Sequence, residues 1–388
     1  MKVLHLNTQF AAMGGVEAVL RFQHESDHLH GMDSRFVSMW EPAHPGFPHA
    51  RFLGYERSTS IREARRRMAA AWPGFHPDIS LHHTVWGQPY LLDLDPAPRR
   101  VLMLHSDVPG LENLAARRLA SMHGAIGVSD VLVQRARTAA PHWPNDRFLR
   151  IDYPVHPPAW LQPGALPRPA TELVLGFAGR LESAQKRVER FIDLSRRLSQ
   201  AQLPWRMEFV GDGSLRPQLE AALPDRQRHR FHGRLGGDDY WRVVASWDAI
   251  VFTSDFEGTP ISLIEAITAG VVPFHPAVGC GGDAYARHID PDLVYPAADI
   301  EGLADRIGAF AKWSPGRREQ ARSRARDLAS RHDPRRYLQR IAGFLGHIAQ
   351  APSPHAAPVT RRWFFPMDRL RFGDFERIAQ WTARLRRR

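Results

Sequence analysis

The stretch Leu173-Val-Leu-Gly-Phe177-Ala-Gly179-Arg180-Leu-Glu-Ser-Ala-Gln-Lys186 opens the pattern that decides the fold. A short apolar run ends in a glycine-containing loop, a helical pattern follows over Arg187–Gln200, and a second apolar run spans Arg206–Val210. Strand, crossover helix and strand make a βαβ unit, and a series of such units builds a parallel sheet. The alternation continues in both directions. Downstream, strand-like runs lie at Arg230–His232, Ala249–Thr253, Val271–Phe274 and Leu293–Tyr295, with helical patterns at Glu301–Lys312 and Arg336–Ala349. Upstream they lie at Val3–Leu6, Arg35–Met39, Ile79–His82, Arg100–His105, Ala125–Val128 and Phe148–Ile151, with a helical pattern at Gly15–His30. Between the halves, Tyr153–Ala170 carries prolines at 154, 157, 158, 163, 167 and 169, which makes a stiff connector. The expected fold class is α/β, with two doubly wound, Rossmann-like domains facing each other across a cleft. The boundaries read as a first domain at 1–155, a linker at 156–170, a second domain at 171–350, and a linker with a basic aromatic tail at 351–388.

Composition narrows the function. The chain has 388 residues, 43% hydrophobic and 24% charged, and no apolar run approaches the roughly 18 residues that span a bilayer. Its single cysteine, Cys280, excludes an internal disulfide and a multi-cysteine metal site. Strand-like sequence from Lys2 onward is expected to leave no room for a signal peptide, so the expected location is cytoplasmic. The net charge is +11, but nine arginines fall in 361–388 against Asp368, Asp374 and Glu376, and the rest is nearly balanced. That distribution fits a catalytic body with a basic tail, with no nucleic-acid partner expected. As a helix, 374–388 places Phe375, Ile378, Trp381, Thr382 and Leu385 on one side. Such a tail suits either an anionic membrane surface or packing across the body. Only Lys2, Lys186 and Lys312 are lysines.

In a doubly wound sheet, ligands bind beyond the carboxyl ends of the strands. Three loops there carry chemistry. Gly14-Gly15 follows the first strand and opens a helix, where bare backbone admits an anion; a plain tight turn explains these two residues equally well. Arg180 and Lys186 span the loop after Phe177 and can converge on one diphosphate, the arginine as a fork and the lysine as a mobile point charge; two surface cations explain them about as well. The third loop is Asp255-Phe-Glu257-Gly-Thr259-Pro-Ile261-Ser262-Leu-Ile-Glu265. Thr259 reads as a helix N-cap and Pro260 as the first helical residue, leaving the N–H groups of Ile261 and Ser262 to an anion. Glu257 and Glu265 flank that helix start as hydroxyl acceptors, an arrangement suited to a nucleotide sugar.

Glu257-x7-Glu265, together with Gly179-Arg180…Lys186, Val210-Gly-Asp-Gly213 and Phe231-His-Gly233, closely resembles glycosyltransferase family 4. The resemblance covers about residues 1–350 and implies the GT-B fold and retention of anomeric configuration. It implies that Arg180 and Lys186 hold the donor diphosphate, Glu265 the ribose hydroxyls and Glu257 hydroxyls of the transferred sugar. Gly14-Gly15 would line the phosphate side, Arg234-Leu235 would meet the base, and His105 would match the family's histidine near the reacting sugar. One departure is Gly279-Cys-Gly-Gly-Asp283, with aspartate where the family commonly has glutamate.

The implied reaction is a front-face substitution in which the departing diphosphate takes the acceptor's proton, with no metal and no cofactor beyond the UDP- or GDP-linked co-substrate. Asp93-Leu-Asp95 and Asp290-Pro-Asp292 mimic metal-binding pairs but read as turn residues. The acceptor, a saccharide or a lipid-linked one, is expected against the first domain, near His82, His83, Trp86, Arg62 and Arg65–Arg67, although a solvated helix face explains those arginines at least as well. Envelope polysaccharide or lipopolysaccharide synthesis is the expected setting. A nucleotide-sugar epimerase on the same architecture and a non-catalytic basic membrane- or nucleic-acid-binding protein are the alternatives.

Overall fold

The computed structural model describes residues 1–12, 14–83, 91–107, 119–161, 172–201, 203–352 and 369–374. The first half supplies β1 (Lys2–Asn7), β2 (Asp33–Ser38), β3 (Ala50–Phe52), β4 (Ile79–His82), β5 (Arg100–Leu104), β6 (Gly124–Gly127) and β7 (Phe148–Arg150). They form one parallel sheet in the order β3-β2-β1-β4-β5-β6-β7. The second half supplies β8 (Leu173–Ala178), β9 (Trp205–Val210), β10 (His229–Gly233), β11 (Ala249–Val251), β12 (Val272–Ala277) and β13 (Val294–Pro296). Their order is β10-β9-β8-β11-β12-β13, again all parallel. Helices cover both faces of such sheets, so the strands are apolar on both sides, and all six residues of β8 are buried. The covering helices show the matching stripe: Arg190–Gln200 buries Phe191, Leu194, Ser195 and Leu198.

Two features depart from the sequence reading. The short edge strand β3 was not expected, and the helix Pro334–Gln350 does not pack with the domain to which 171–350 assigned it. Its Tyr337, Leu338, Ile341, Phe344, Leu345 and Ile348 join Val3, Ile79, Val101, Leu102 and Ile126 in the core of the first domain. A Cβ on Gly124 of β6 would lie 3.0 Å from Ile348 Cδ1, so the helix sits directly on that strand. The amphipathic face shows that this helix needs a core, but periodicity alone does not say which one. The turn at Ser330–His332 and the N-cap Asp333, which accepts from the Arg336 N–H, send it back across the boundary.

The connector is gripped rather than free where it is described. His332 Nδ1 donates to the Tyr153 carbonyl at 2.7 Å, and the Val155 N–H donates to the His332 carbonyl at 3.1 Å. Tyr285 donates its hydroxyl to Asp152 at 3.1 Å, and Arg340 donates to the Arg150 carbonyl at 2.6 Å. Residues 162–170 of the expected linker lie outside the described residues.

One piece of the tail is seen, and it is pinned to the first domain. The Ile61 N–H donates to the Leu370 carbonyl at 2.9 Å, and Phe372 is fully buried beside Trp40 and Tyr55. The remainder of the tail, including the basic aromatic helix expected at 374–388 beyond Asp374, lies outside the described residues. Among the described residues, no helix is long and apolar enough to cross a membrane.

Replacing the fully buried Ile348 by alanine should cost about 2–5 kcal/mol in a denaturant titration. Hydrogen exchange should then rise in β5 and β6. A response in β8 and β9 instead would return the helix to the second domain.

Candidate active site

Each sheet reverses its strand order once near its centre, between β1 and β4 in the first and between β8 and β11 in the second. Such switch points leave a crevice at the strands' carboxyl ends, and here the two crevices face each other. Among the described residues, the domains meet at a seam beside these crevices. Ser106 bridges Gly258 in antiparallel fashion, the Asp107 N–H donates to the Glu257 carbonyl at 3.2 Å, and the Thr259 hydroxyl donates to the Val128 carbonyl at 3.0 Å. Glycine makes this approach feasible: a Cβ on Gly258 would stand 2.1 Å from the His105 carbonyl oxygen, and one on Gly15 2.9 Å from Ile261 Cβ.

At this seam Glu257 is 3% exposed and its carboxylate is fully engaged. Lys186 Nζ lies 2.6 Å from Oε1, the Ser254 hydroxyl donates to the same oxygen at 2.7 Å, and Gln185 donates to Oε2 at 3.1 Å. The structure therefore brings Lys186 and Glu257 together as an ion pair, a contact that their separate expected roles did not anticipate. Arg180 joins the edge of this network, 3.3 Å from Gln185 Oε1 and 3.5 Å from Glu182, with more than half of its side chain exposed.

The loop that carries Arg180 is held by the Val210-Gly-Asp-Gly213 motif. Gly211 has φ 129°, and a Cβ there would stand 2.0 Å from the Gly179 carbonyl oxygen; one on Gly213 would stand 2.4 Å from that of Leu181. The Leu181 N–H donates to the Asp212 carbonyl at 3.0 Å. The motif thus supports the arginine loop through backbone.

The helix after Glu257 runs Ile261–Thr268, one residue later than expected, with Pro260 at the N-cap position and no side-chain cap. Thr259 is not the cap because its hydroxyl is spent on Val128 across the seam. The N–H groups of Ile261 and Ser262 form no hydrogen bond among the described residues, as expected for an anion-receptive helix start. Glu265 is half-buried and hydrogen-bonded by the Tyr240 hydroxyl. Burial pushes its carboxyl up to about 7, against the stabilising pull of that hydroxyl.

Other expected residues fall differently. Arg234 is exposed at the end of β10, 3.8 Å from Asp212, and Leu235 packs half-buried on the core. The ring of His105 is committed on both sides, with Nε2 3.1 Å from His83 Nδ1 and Nδ1 bonded to the Tyr153 hydroxyl. Burial holds it down to about 3, so it is neutral, and what it presents at the seam is its carbonyl. Arg65 forks onto Asp93 at 2.7 and 2.6 Å, while Arg66 and Arg67 pair with Glu63, so these candidate acceptor contacts are already partnered. His82 is buried against Asp95 at 2.8 Å, Asp290 and Asp292 both hold Arg317, and Trp86 lies outside the described residues. Cys280 is buried and caps the helix Gly281–Ile289 by accepting from the Gly282 N–H, while Asp283 accepts from the Gly279 and Cys280 N–H groups. Burial pushes that thiol up to about 12, which makes it a structural group rather than a nucleophile.

The sequence reading missed Glu17. It sits in the first turn of the helix Gly15–Ser26, and its carboxylate folds back so that a Cβ on Gly14 would stand 2.1 Å from Oε2. Burial raises its pKa and the Arg180 charge opposes the rise, so Glu17 occupies the helix start expected to face a phosphate. An acid in a first helical turn, two residues after a Gly-Gly pair, was the available signal.

Removing Lys186 tests the pair. Lys186→Met leaves the Glu257 carboxylate without its counter-charge and should cost about 3–5 kcal/mol in urea unfolding, most of it recovered on adding Glu257→Gln. A single variant as stable as the unaltered chain would show that the two charges are not coupled. Glu265 gives a pH signature. Its folded pKa lies above the ordinary 4.5, so the folded state holds the proton more tightly and the residue's contribution to stability falls as pH rises from 4.5 through about 7. The melting temperature should therefore drop relative to Glu265→Gln across that window; parallel curves would contradict it.

Comparisons with known proteins agree with this fold. Residues 172–312 match the family model described as Glycosyl transferases group 1. A GDP-mannose-dependent alpha-mannosyltransferase of Corynebacterium glutamicum is 32% identical over 140 residues, 36% of this chain and 31% of that protein. A lipopolysaccharide 1,6-galactosyltransferase of Escherichia coli is 30% identical over 146 residues, 34% of this chain and 38% of that protein. The matched stretch thus spans about a third of each curated relative. Among solved structures, WaaG, a glycosyltransferase involved in lipopolysaccharide biosynthesis, superposes with a TM-score of 0.68 at 17% identity over 88% of this chain and 99% of its own. Anabaena HepE, solved with UDP and glucose, gives 0.68 at 17% identity over 89% and 99%. Residues 172–312 therefore resemble group 1 glycosyl transferases, and the chain as a whole has the two-domain GT-B fold.

Proposed function

We propose that this chain is a retaining glycosyltransferase, of the family 4 type that its motifs resemble. In this reading it moves a hexose-type sugar from a UDP- or GDP-linked donor to a saccharide or lipid-linked acceptor in envelope polysaccharide or lipopolysaccharide synthesis. The observation that carries the reading is the Lys186–Glu257 pair at the meeting of two facing switch points, with Arg180, the Ile261 helix start and Glu265 along the same edge. One edge thus offers two cations and free N–H groups for a diphosphate, and two carboxylates for hydroxyls on either side of it. The names of the relatives support the substrate class, since they act in mannosyl and galactosyl transfer, and HepE was solved with UDP and with UDP-glucose.

In the proposed reaction the acceptor oxygen attacks the anomeric carbon from the face that the diphosphate leaves. The bond from that carbon to the phosphate oxygen breaks, the bond to the acceptor oxygen forms, and the acceptor's proton passes to the departing diphosphate. Arg180, Lys186 and the helix start stabilise the charge that grows on the diphosphate, and Glu257 orients the sugar through its hydroxyls. No metal enters this scheme, because the two cations supply the charge.

A thermal-shift screen with UDP, GDP, ADP and their sugars, in EDTA, tests it. A nucleotide present at ~100 times its Kd stabilises the native state by about 2.7 kcal/mol. One nucleotide should raise the melting temperature, and Arg180→Ala and Glu265→Ala should each abolish the rise. A folded protein that responds to none of them contradicts the proposal.

A further inference from the structure

Three histidines stand in line inside the first domain: His5 in β1, His83 one residue past β4 and His105 one residue past β5. Their exposures are 0%, 5% and 9%, a costly placement for three titratable rings unless each polar atom is matched. The rings are nearly parallel, with His5 and His83 centroids 5.4 Å apart at 16° and His83 and His105 5.3 Å apart at 15°. His5 Nδ1 lies 3.1 Å from His83 Nε2, and His83 Nδ1 lies 3.1 Å from His105 Nε2. At one end Asp27 Oδ2 faces His5 Nε2 at 3.3 Å, a charge contact without hydrogen-bond geometry, and accepts from the Ser34 hydroxyl at 2.5 Å. At the other end His105 Nδ1 meets the Tyr153 hydroxyl.

We propose that Asp27, His5 and His83 are positioning residues that hold His105 as its neutral Nε2–H tautomer and, through Tyr153, tie the cleft edge of the first domain to the interdomain connector. A neutral imidazole has one donor and one acceptor nitrogen, so the polarity of the row is set from one end. A carboxylate only accepts, and although the 3.3 Å contact lacks hydrogen-bond geometry, its negative charge favours an N–H over a lone pair at His5 Nε2; on a neutral ring Nδ1 is then the lone pair. That lone pair requires Nε2–H on His83, whose Nδ1 then requires Nε2–H on His105. The remaining lone pair, His105 Nδ1, takes the Tyr153 hydroxyl proton. Every hydrogen bond therefore points toward Asp27.

Burial keeps the pKa of His83 well below its usual value and that of His105 at about 3, so these two rings stay uncharged near neutrality. Tyr153 is also the residue whose carbonyl His332 grips from the far side of the connector. The row thus joins the floor of the first domain, the residue at the seam and the connector in one hydrogen-bonded line. The role given to His105 rests on the transferase reading; the tautomer assignment does not.

Long-range proton–nitrogen correlation spectra of the full chain with 15N-labelled histidine, at pH 7, test the polarity directly. His5, His83 and His105 should all show the Nε2–H tautomer; an Nδ1–H form or an imidazolium at any of them overturns the proposal. Asp27→Asn offers an N–H donor as well as a carbonyl to His5 and so permits the opposite polarity. It should produce an Nδ1–H population at His105, two histidines away, and lower kcat about tenfold while nucleotide Kd changes by less than about twofold. A folded Asp27→Asn protein with an unaltered His105 tautomer contradicts the proposal. Should that variant not fold, Tyr153→Phe must shift the His105 Nδ1 resonance and leave that of His5 in place; an unmoved His105 signal overturns the tie to the connector. An unaltered chain that shows the expected tautomers but no transfer counts against the transferase reading alone.

Discussion

Glu257 brings a carboxylate into a seam where water hardly reaches, and its surroundings must replace the water that it has lost. Removing an ion from solvent costs several kcal/mol even after relaxation, so a buried charge is tolerated only with a complete set of partners. Here Lys186 supplies the opposite charge, and Ser254 and Gln185 supply the remaining hydrogen bonds. The backbone carbonyl of the same residue receives Asp107 from the other domain. One residue therefore anchors the Gln185–Lys186 loop and the domain contact together. A ligand that draws Lys186 away must give Glu257 something else to accept from. A diphosphate joined to a sugar does both, since its anion takes the ammonium and its hydroxyls take the carboxylate.

Close backbone approach gives that arrangement its precision. Gly258 lets the loop before the Ile261 helix lie against His105, and Gly211 and Gly213 let a second loop lie beneath Arg180. A single methyl group at Gly258 or Gly211 would overlap a carbonyl oxygen that has nowhere to go. The final helix works on a longer scale by carrying the chain back to the first domain's core, so the two domains are linked at Asp152–Val155 and again at Pro334.

The parallel sheets were legible because their strands are apolar on both faces, as in Leu173–Phe177, and because crossover helices separate them. Strand β3 was not, since Ala50–Phe52 is three residues long and follows a run of prolines, glycine and histidine that reads as a loop. Arg180, Lys186 and Glu257 could be singled out as candidates because each lies in a loop beyond a strand's carboxyl end, and Glu265 because it sits along the helix that follows such a loop. Their pairing was hidden, because Lys186 and Glu257 stand 71 residues apart in sequence. Thr259 was misread for a related reason: a threonine before proline looks like a cap until its hydroxyl finds an acceptor across the seam. The histidine row has no local signature at all, since only the β1-β4-β5 adjacency brings positions 5, 83 and 105 into line.

The central claim is that a ligand exchanges with the Lys186–Glu257 pair, and a crystal structure with a UDP- or GDP-linked sugar tests it most directly. The account predicts Lys186 Nζ withdrawn from Glu257 onto a phosphate oxygen at the mouth of β8, with the Glu257 carboxylate accepting from hydroxyls of the sugar. A sugar nucleotide seated elsewhere, or one bound with the Lys186–Glu257 pair intact, would contradict it.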